Sequence, residues 1–337
     1  MGAPRILVIR LTALGDVVLV EPVARALRQR FPGYAIDLVT DLKMVPLLTQ
    51  AGVFDRVEGY DKKGADRGFF GPWRVRRRLA ERYHAVIDLQ GKLRTRALAW
   101  LISAEHKLTL RKRSFGGALL SLFGVRRPIA DRHTIDLYLD ALSPLGLGRG
   151  SLPSDVTPRF QSPPSRATTI RTVGLGIGAS HATKRWAPEK FHELVLGLAA
   201  RAPGVVVTLI GGPQDRPELE RVRQLLPVQN LDSRDATQLD VAGLASLIAA
   251  LDVVVSVDSG AAHISQALGV RTIVLFGPTS PLRWGPRAAP HQAISLGLDC
   301  SPCSDVGGAL CPRADRAQAC MRELPPARVV AAVFEDP

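Results

Sequence analysis

The sequence predicts an α/β protein of two doubly wound, parallel-sheet domains facing a cleft, and three observations carry that prediction. The chain has 337 residues, about twice the usual size of one domain. Strand-like and helix-like patterns alternate along most of it, the order that covers both faces of a parallel sheet with helices. A Pro- and Ser-rich stretch, Arg149–Arg166, interrupts the alternation and reads as an interdomain linker. The domains are accordingly placed at 1–160 and 161–337.

In the first domain, Ile6–Arg10 reads as a strand and Val20–Arg30 as a helix with apolar positions 20, 23 and 27. Strand Ala35–Val39, helix Met44–Ala51 and strand Val57–Tyr60 follow. The basic segment Trp73–Tyr83 is expected as a helix before strand Ala85–Leu89. After the linker come strand Thr172–Leu175, helix Pro188–Arg201, strand Val205–Ile210 and helix Leu219–Leu226. Helix Val241–Ala250, strand Val253–Val257, helix Ala261–Leu268 and strand Thr272–Phe276 complete the series.

The composition, 46% apolar and 22% charged, argues against a disordered, collagenous or disulfide-scaffold chain. No stretch reaches the ~18 apolar residues of a membrane span. The apolar run Ile6–Val20, broken by Arg10 and Asp16 and followed by no small-residue cleavage site, reads as structure rather than a signal peptide. The net charge of +13 is one-sided. Residues 1–150 hold 26 basic and 14 acidic side chains, net +12; the remainder hold 18 and 17, net +1. The two halves are therefore expected to meet different partners.

In open parallel sheets, ligands bind beyond the carboxyl ends of the strands, so strand-to-helix loops were searched for chemistry. Leu11-Thr12-Ala13-Leu14-Gly15-Asp16 puts a carboxylate at the edge of the first sheet. On residue type alone, helix capping and catalysis both remain open for Asp16. The dinucleotide glycine fingerprint is absent there, which disfavours a nicotinamide or flavin enzyme. The loop from Gly174 to Trp186 contains Gly178, Ser180, Thr183 and Lys184, a set suited to a diphosphate although it is no Walker loop. In Val257-Asp258-Ser259-Gly260-Ala261-Ala262-His263, Ser259-Gly260 opens a helix whose N-terminal amides form an anion site. Asp258 there is read as ordering the loop, and His263 as either a packed histidine or a donor contact. Gly211-Gly212-Pro213-Gln214-Asp215 is either a ribose contact through Asp215 or an exposed turn.

Together these loops resemble glycosyltransferase family 9, the heptosyltransferases of lipopolysaccharide core assembly. The resemblance runs through Ile6–Asp16, Val86-Ile87-Asp88-Leu89-Gln90-Gly91, Thr183-Lys184-Arg185-Trp186, Val257–His263 and Phe276-Gly277-Pro278-Thr279. It implies the GT-B architecture, two Rossmann-like domains with acceptor bound by the first and nucleotide-sugar by the second. It implies inverting transfer from ADP-L-glycero-D-manno-heptose, with Asp16 as the base that takes the acceptor hydroxyl's proton. Lys184 and the helix starting near Ser259-Gly260 then stabilise the departing ADP, and positive protein groups replace a divalent metal. No Asp-x-Asp pair of the metal-dependent kind accompanies them.

Donor contacts are expected from Gly178, Ser180, Thr183, Lys184, Asp215, Asp258, Ser259, Gly260 and His263. The implied acceptor is a lipid A–Kdo core in the inner leaflet, which gives the basic half a partner. Acceptor contacts are expected from Thr12, Gly15 and Gln90, from Arg76, Arg77 and Arg78, and from Lys92 and Arg94, with Arg111, Lys112 and Arg113 behind them. The enzyme is expected to be cytoplasmic and peripheral on the inner face of the inner membrane.

All four cysteines, Cys300, Cys303, Cys311 and Cys320, fall within 21 residues. Their opening spacing is zinc-like and the rest is unusual, so a structural zinc, free thiols or one disulfide all remain open. No cofactor is expected to be required. The rival readings are another nucleotide-sugar transferase of the same fold acting on a different anionic glycan, and a nucleic-acid binder. The second is disfavoured by 5% aromatic residues and by an expected lack of basic-aromatic interleaving.

Overall fold

The computed structural model describes residues 3–110, 132–160, 169–226, 231–232 and 234–335. Arg111, Lys112, Arg113 and the linker residues 161–168 lie outside these. The described residues form two compact units, the first reaching Phe160 and the second starting at Thr169.

The first unit runs β1 (Arg5–Ile9), α1 (Leu14–Val18), α2 (Glu21–Arg30), β2 (Ala35–Asp41), α3 (Val45–Gln50) and β3 (Arg56–Tyr60). It continues α4 (Gly71–Arg77), β4 (Arg82–Asp88), α5 (Leu93–Leu101), β5 (Ser103–Thr109) and α6 (Thr134–Asp140). Its sheet has the order β3-β2-β1-β4-β5, parallel throughout. The order reverses at β1 and β4, so the loops after these strands open on the crevice where doubly wound sheets bind ligands. Leu7, Ile9, Val39 and Val86 pack with Val75 and Leu98 of the covering helices into one core.

The second unit runs β6 (Thr172–Gly176), α7 (Pro188–Arg201), β7 (Val206–Ile210), α8 (Arg216–Leu225), α9 (Val241–Ala249), β8 (Val253–Val257) and α10 (Gly260–Ala267). It ends β9 (Arg271–Leu275), α11 (Pro281–Trp284), β10 (Gln292–Ile294), α12 (Ala319–Arg322) and α13 (Pro326–Phe334). The sheet order β10-β9-β8-β6-β7 is again parallel and reverses between β6 and β8. The central strand β8 is buried over its whole length. Its β-branched run Val-Val-Val-Ser-Val suits a strand covered on both faces. Among the described residues, no helix is long and apolar enough to cross a membrane.

Two sequence expectations need correction, and one basic stretch carries elements for which none was stated. The expected helix Trp73–Tyr83 stops at Arg77, and Tyr83 belongs to β4, where its hydroxyl donates to Asp37 Oδ2 at 2.9 Å. The alternation Tyr83, Ala85, Ile87, all buried, outweighs the helical spacing before it. The basic stretch after Gln90 hides a helix and a strand, α5 and β5, with no apolar alternation in β5 because it is an exposed sheet edge. The front of the expected linker is packed structure. Leu152, Val156 and Phe160 are buried. Arg25 donates to the Thr157 carbonyl, and the Arg159 amide donates to Glu21.

Candidate active site

In the first unit, β1 ends at Ile9 and hands the chain through Arg10 to the short α1, which carries Asp16 in its first turn. Asp16 Oδ2 accepts the Ala13 amide at 3.1 Å, so the capping role is real. Its other oxygen is held by side chains: Oδ1 lies 2.6 Å from Arg10 Nη2 and accepts the Tyr138 hydroxyl at 2.9 Å. Tyr138 arrives on α6, and its ring also covers the Arg10 guanidinium, 5.4 Å from the ring centre. Arg10 is buried and donates to the Leu89 carbonyl. Burial opposes its charge, and Tyr138, Asp16 and Asp88 together more than offset that, leaving the group more basic than usual. Asp16 is thus oriented from three directions while its side chain keeps 17% exposure.

The loop after β4 braces the loop that carries Asp16. Asp88 Oδ1 accepts the Gln90 and Gly91 amides at 2.9 and 3.0 Å, and Gly91 takes the positive φ (+63°) that closes this turn. Gln90 Oε1 accepts the Leu11 and Thr12 amides, and Nε2 donates to Thr12 Oγ1 at 3.0 Å. The Gln90 and Thr12 side chains, both expected to touch acceptor, are therefore joined to each other. Gly15 lies buried within α1. Burial pushes the Asp88 carboxyl above the usual carboxylate range, against the pull of the Gly91 and Gln90 amides.

The basic residues separate into two kinds. Arg78 forks onto Asp66 (2.7 and 2.9 Å), contacts Glu58 at 2.7 Å and donates to the Gly59 carbonyl. Its guanidinium ties the end of α4 to β3. Arg76 is spent on the Leu101 and Glu81 carbonyls. Arg77 points outward, stacked on Trp73 with 4.9 Å to the ring centre. Lys92 caps α5, and Arg94 lies over the Tyr60 ring at 5.5 Å. Around them Phe69, Phe70, Trp73, Leu93 and Trp100 are exposed. The expected lack of basic-aromatic interleaving is therefore incorrect: Phe69-Phe70-Gly71-Pro72-Trp73-Arg74 carries it in plain sequence.

In the second unit, the parallel register aligns the ends of β6, β7, β8 and β9, bringing four loops to one edge. Lys184 is buried, its ammonium 3.1 Å from Asp258 Oδ2, and Thr279 Oγ1 donates to the same oxygen at 2.7 Å. The motif loops after β6, β8 and β9 thus meet in one network at the switch point. Ser259 N-caps α10, with its hydroxyl 3.0 Å from Ser256 Oγ. The first-turn amides of α10, from Gly260 on, have no partner inside the helix. His263 is buried beside the Trp284 ring.

Gly178 lies so close to Asp215 that a Cβ would fall 2.2 Å from Oδ2. Asp215 Oδ2 accepts the Gly212 amide and Gln214 Nε2, while the buried Oδ1 has no partner among the described residues. Thr183 exchanges hydrogen bonds with both the amide and the carbonyl of Gly308, so its hydroxyl fixes the loop 307–308. The Ser180 hydroxyl is exposed beside His181 Nδ1 at 3.0 Å.

That loop belongs to the cysteine segment. Cys303, Cys311 and Cys320 line one small cavity with Thr183 and Pro278, and among the described residues none of the four cysteines is joined in a disulfide. Burial, then the neighbouring thiols, pushes Cys320 up to about 11. Among the described residues, the group of three His, Cys, Asp or Glu donor atoms gathered within 4.8 Å of one another is His84, Glu105 and His106, and no cysteine belongs to it. Sequence reading assigned no role to Arg10, Tyr138 or Thr279. Arg10 and Thr279 stand inside quoted motifs; nothing near Tyr138 in sequence marks it.

The comparisons agree with this geometry. The model of glycosyltransferase family 9 (heptosyltransferase) matches residues 72–310. Lipopolysaccharide heptosyltransferase 1 of Pseudomonas aeruginosa is 28% identical over 316 residues, covering 89% of this chain and 86% of the relative. The solved structure of Escherichia coli ADP-heptose lps heptosyltransferase II superposes with a TM-score of 0.72 at 20% identity, over 98% of this chain and 97% of that one. E. coli heptosyltransferase WaaC with ADP-2-deoxy-2-fluoro heptose gives 0.64 at 21% identity, over 86% and 92%. The structural likenesses establish the GT-B type of fold. With its family model matching well over half of the residues, the chain belongs to glycosyltransferase family 9, the heptosyltransferases, and is a glycosyltransferase.

Proposed function

We propose that this glycosyltransferase moves a heptose from ADP-L-glycero-D-manno-heptose to the inner core of lipopolysaccharide, inverting the anomeric carbon and using protein groups in place of a divalent cation. The observation that carries this reading is the Lys184–Asp258–Thr279 network beside the N-terminus of α10. A buried ammonium and unpartnered helix amides on one sheet edge suit a diphosphate. The unpartnered Asp215 Oδ1 suits a ribose hydroxyl donor. In the transfer, the acceptor oxygen bonds to the anomeric carbon as the bond to ADP breaks. The hydroxyl proton passes to Asp16, and ADP leaves with the bonding electrons toward Lys184 and the α10 amides. Arg10 and Tyr138 fix the orientation of the carboxylate for that step.

The acceptor side rests on the exposed face of α4 and α5. Trp73 and Arg77 are one helical turn apart on α4, and Leu93, Arg96 and Trp100 share one face of α5. Indole rings favour the headgroup level of a bilayer, and each nearby basic residue adds about 1 kcal/mol at an anionic surface. This supports a peripheral site on the cytoplasmic face of the inner membrane.

The test is a thermal-shift screen of nucleotide-sugars followed by transfer to truncated cores, with the product's anomeric configuration read by NMR and activity repeated in EDTA. ADP-heptose is expected to protect the protein and to yield the inverted product in chelator. Protection only by a different nucleotide-sugar points to the rival reading, a transferase of the same fold with another donor. Protection only by an oligonucleotide overturns the reading.

A further inference from the structure

The sheet of the first unit carries a second chemical cluster, at the end opposite the loops of the active site. His84 is the third residue of β4, and Glu105 and His106 are the third and fourth of β5. The parallel register pairs Ala85 with His106, which puts His84 one position from that pair on the neighbouring strand, and the His84 and His106 rings are in contact. One donor atom of each lies within 4.8 Å of the others. His84 Nδ1 and Glu105 Oε2 are 2.9 Å apart. At metal–ligand bonds of about 2.0–2.2 Å and the tetrahedral angle, two donors on one ion stand roughly 3.3–3.6 Å apart. The first pair is already near that spacing, and His106 reaches it by a side-chain adjustment of about 1 Å or a little more.

The cluster is partly preorganised. The His84 ring is packed edge-on between Phe31 and Tyr34, with centroids at 5.5 and 5.3 Å, and against His106 at 5.2 Å. That packing limits its rotamers, as the surroundings of a working ligand must. Glu105 and His106 are exposed, leaving further coordination positions to water. Beside the cluster, Arg82 contacts Glu105 at 3.4 Å with 72% of its own side chain exposed. Such a surface pair contributes little and yields readily to an ion.

We propose that His84, Glu105 and His106 form a binding site for a borderline divalent transition-metal ion of the Zn2+ class. Two imidazoles and one carboxylate select for such ions and against Mg2+ or Ca2+, which prefer all-oxygen sites. The ion would tie the exposed edge strand β5 to β4. It takes no part in transfer: Asp88 at the loop end of β4 is four residue steps beyond His84, about 13 Å at ~3.3 Å per residue.

The test uses the full chain after chelator treatment and desalting, titrated with ZnCl2 by calorimetry and followed by thermal unfolding. The thiols of the cysteine segment are a second sink for zinc, so the informative quantity is a difference between variants. His106→Gln and Glu105→Gln are expected to fold, to retain transfer activity, and to lose one zinc equivalent or weaken it by at least about tenfold. The zinc-dependent rise in melting temperature should shrink with it, and MgCl2 should produce none. Titration with Co2+ adds a separate reading: an N/O site gives weak visible bands, whereas thiolate binding gives intense near-ultraviolet absorption. Equal zinc stoichiometry and affinity in the wild type and both variants would show that the trio is an ion pair with an aromatic neighbour and nothing more.

Discussion

Tyr138 and Asp16 lie 122 positions apart in the chain and share a 2.9 Å hydrogen bond in the fold. The same tyrosine covers Arg10, which contacts the same carboxylate oxygen. The arrangement predicts a graded series. Asp16→Asn should keep ADP affinity and lose at least ~100-fold in turnover, the lower range for loss of a general base. Tyr138→Phe keeps the ring over Arg10 and deletes only the hydroxyl, so a smaller loss, about tenfold in kcat with KM little changed, is expected. Steady-state kinetics on a truncated core measure both. A folded Asp16→Asn protein with near-normal turnover would remove Asp16 from the mechanism.

The Lys184–Asp258 pair separates binding from stability. Both side chains are 9% exposed, and removing one member of a buried pair strands the other, at a cost of about 3–5 kcal/mol. Lys184→Ala should lower both the melting temperature and the affinity for ADP. The double change Lys184→Ala with Asp258→Ala should recover much of the stability and none of the affinity. Calorimetry with ADP and urea melts on the four proteins of the cycle give the answer. If ADP affinity returns with the double change, Lys184 matters only as a structural partner of Asp258.

The switch-point loops were legible because each motif directly follows a strand whose apolar pattern announces it: Asp16 after β1, Lys184 after β6, Asp258 after β8. What completes them was not. Tyr138 reaches Asp16 from a helix in a distant part of the chain, and no local pattern encodes that encounter. Gln90 has the residue type of a sugar contact, yet three of its hydrogen bonds are taken by Leu11 and Thr12. β5 escaped notice because an edge strand with both faces wet carries no alternation. The same exposure hid the His84–Glu105–His106 cluster, which exists only through the register of β4 on β5.

His291 gives the fold a defined acid sensitivity. Burial holds its imidazole down at about 4, against a weaker upward pull from a Val270 backbone bond, and Nδ1 has no partner. A histidine depressed in the folded state is protonated first in the unfolded chain. Its contribution is therefore complete above about pH 6.5 and is lost as pH falls toward 4. His291→Gln should flatten the decline of stability across that window by up to about one proton. Urea melts at pH 7, 6, 5 and 4.5 for both proteins measure it. Parallel pH profiles would show that the imidazole opens to solvent and titrates normally.

The outer face of α4 and α5 makes the most specific demand on the arginines, because residues adjacent in sequence have different tasks. Arg77 is stacked on an exposed Trp73, and Trp100 is 77% exposed; neither the rings nor this cation is needed by the core. Trp73→Ala with Trp100→Ser should leave the unfolding free energy within about 1 kcal/mol of wild type, as expected of surface changes. Binding to vesicles of phosphatidylglycerol and phosphatidylethanolamine should fall strongly. Arg77→Glu should lower vesicle binding most at low salt, since exposed charges are screened over about 8 Å at physiological ionic strength. Arg78→Glu should behave otherwise: it places a third carboxylate against Asp66 and Glu58, so the melting temperature falls whether or not a membrane is present. Both kinds of variant should keep their affinity for ADP, whose proposed site lies on the second unit. Sedimentation and thermal unfolding on the same preparations separate the two effects. If the tryptophan variants sediment with vesicles as the wild type does, the exposed rings are not a membrane anchor, and the surplus of positive charge on the first unit has to be explained by the acceptor alone.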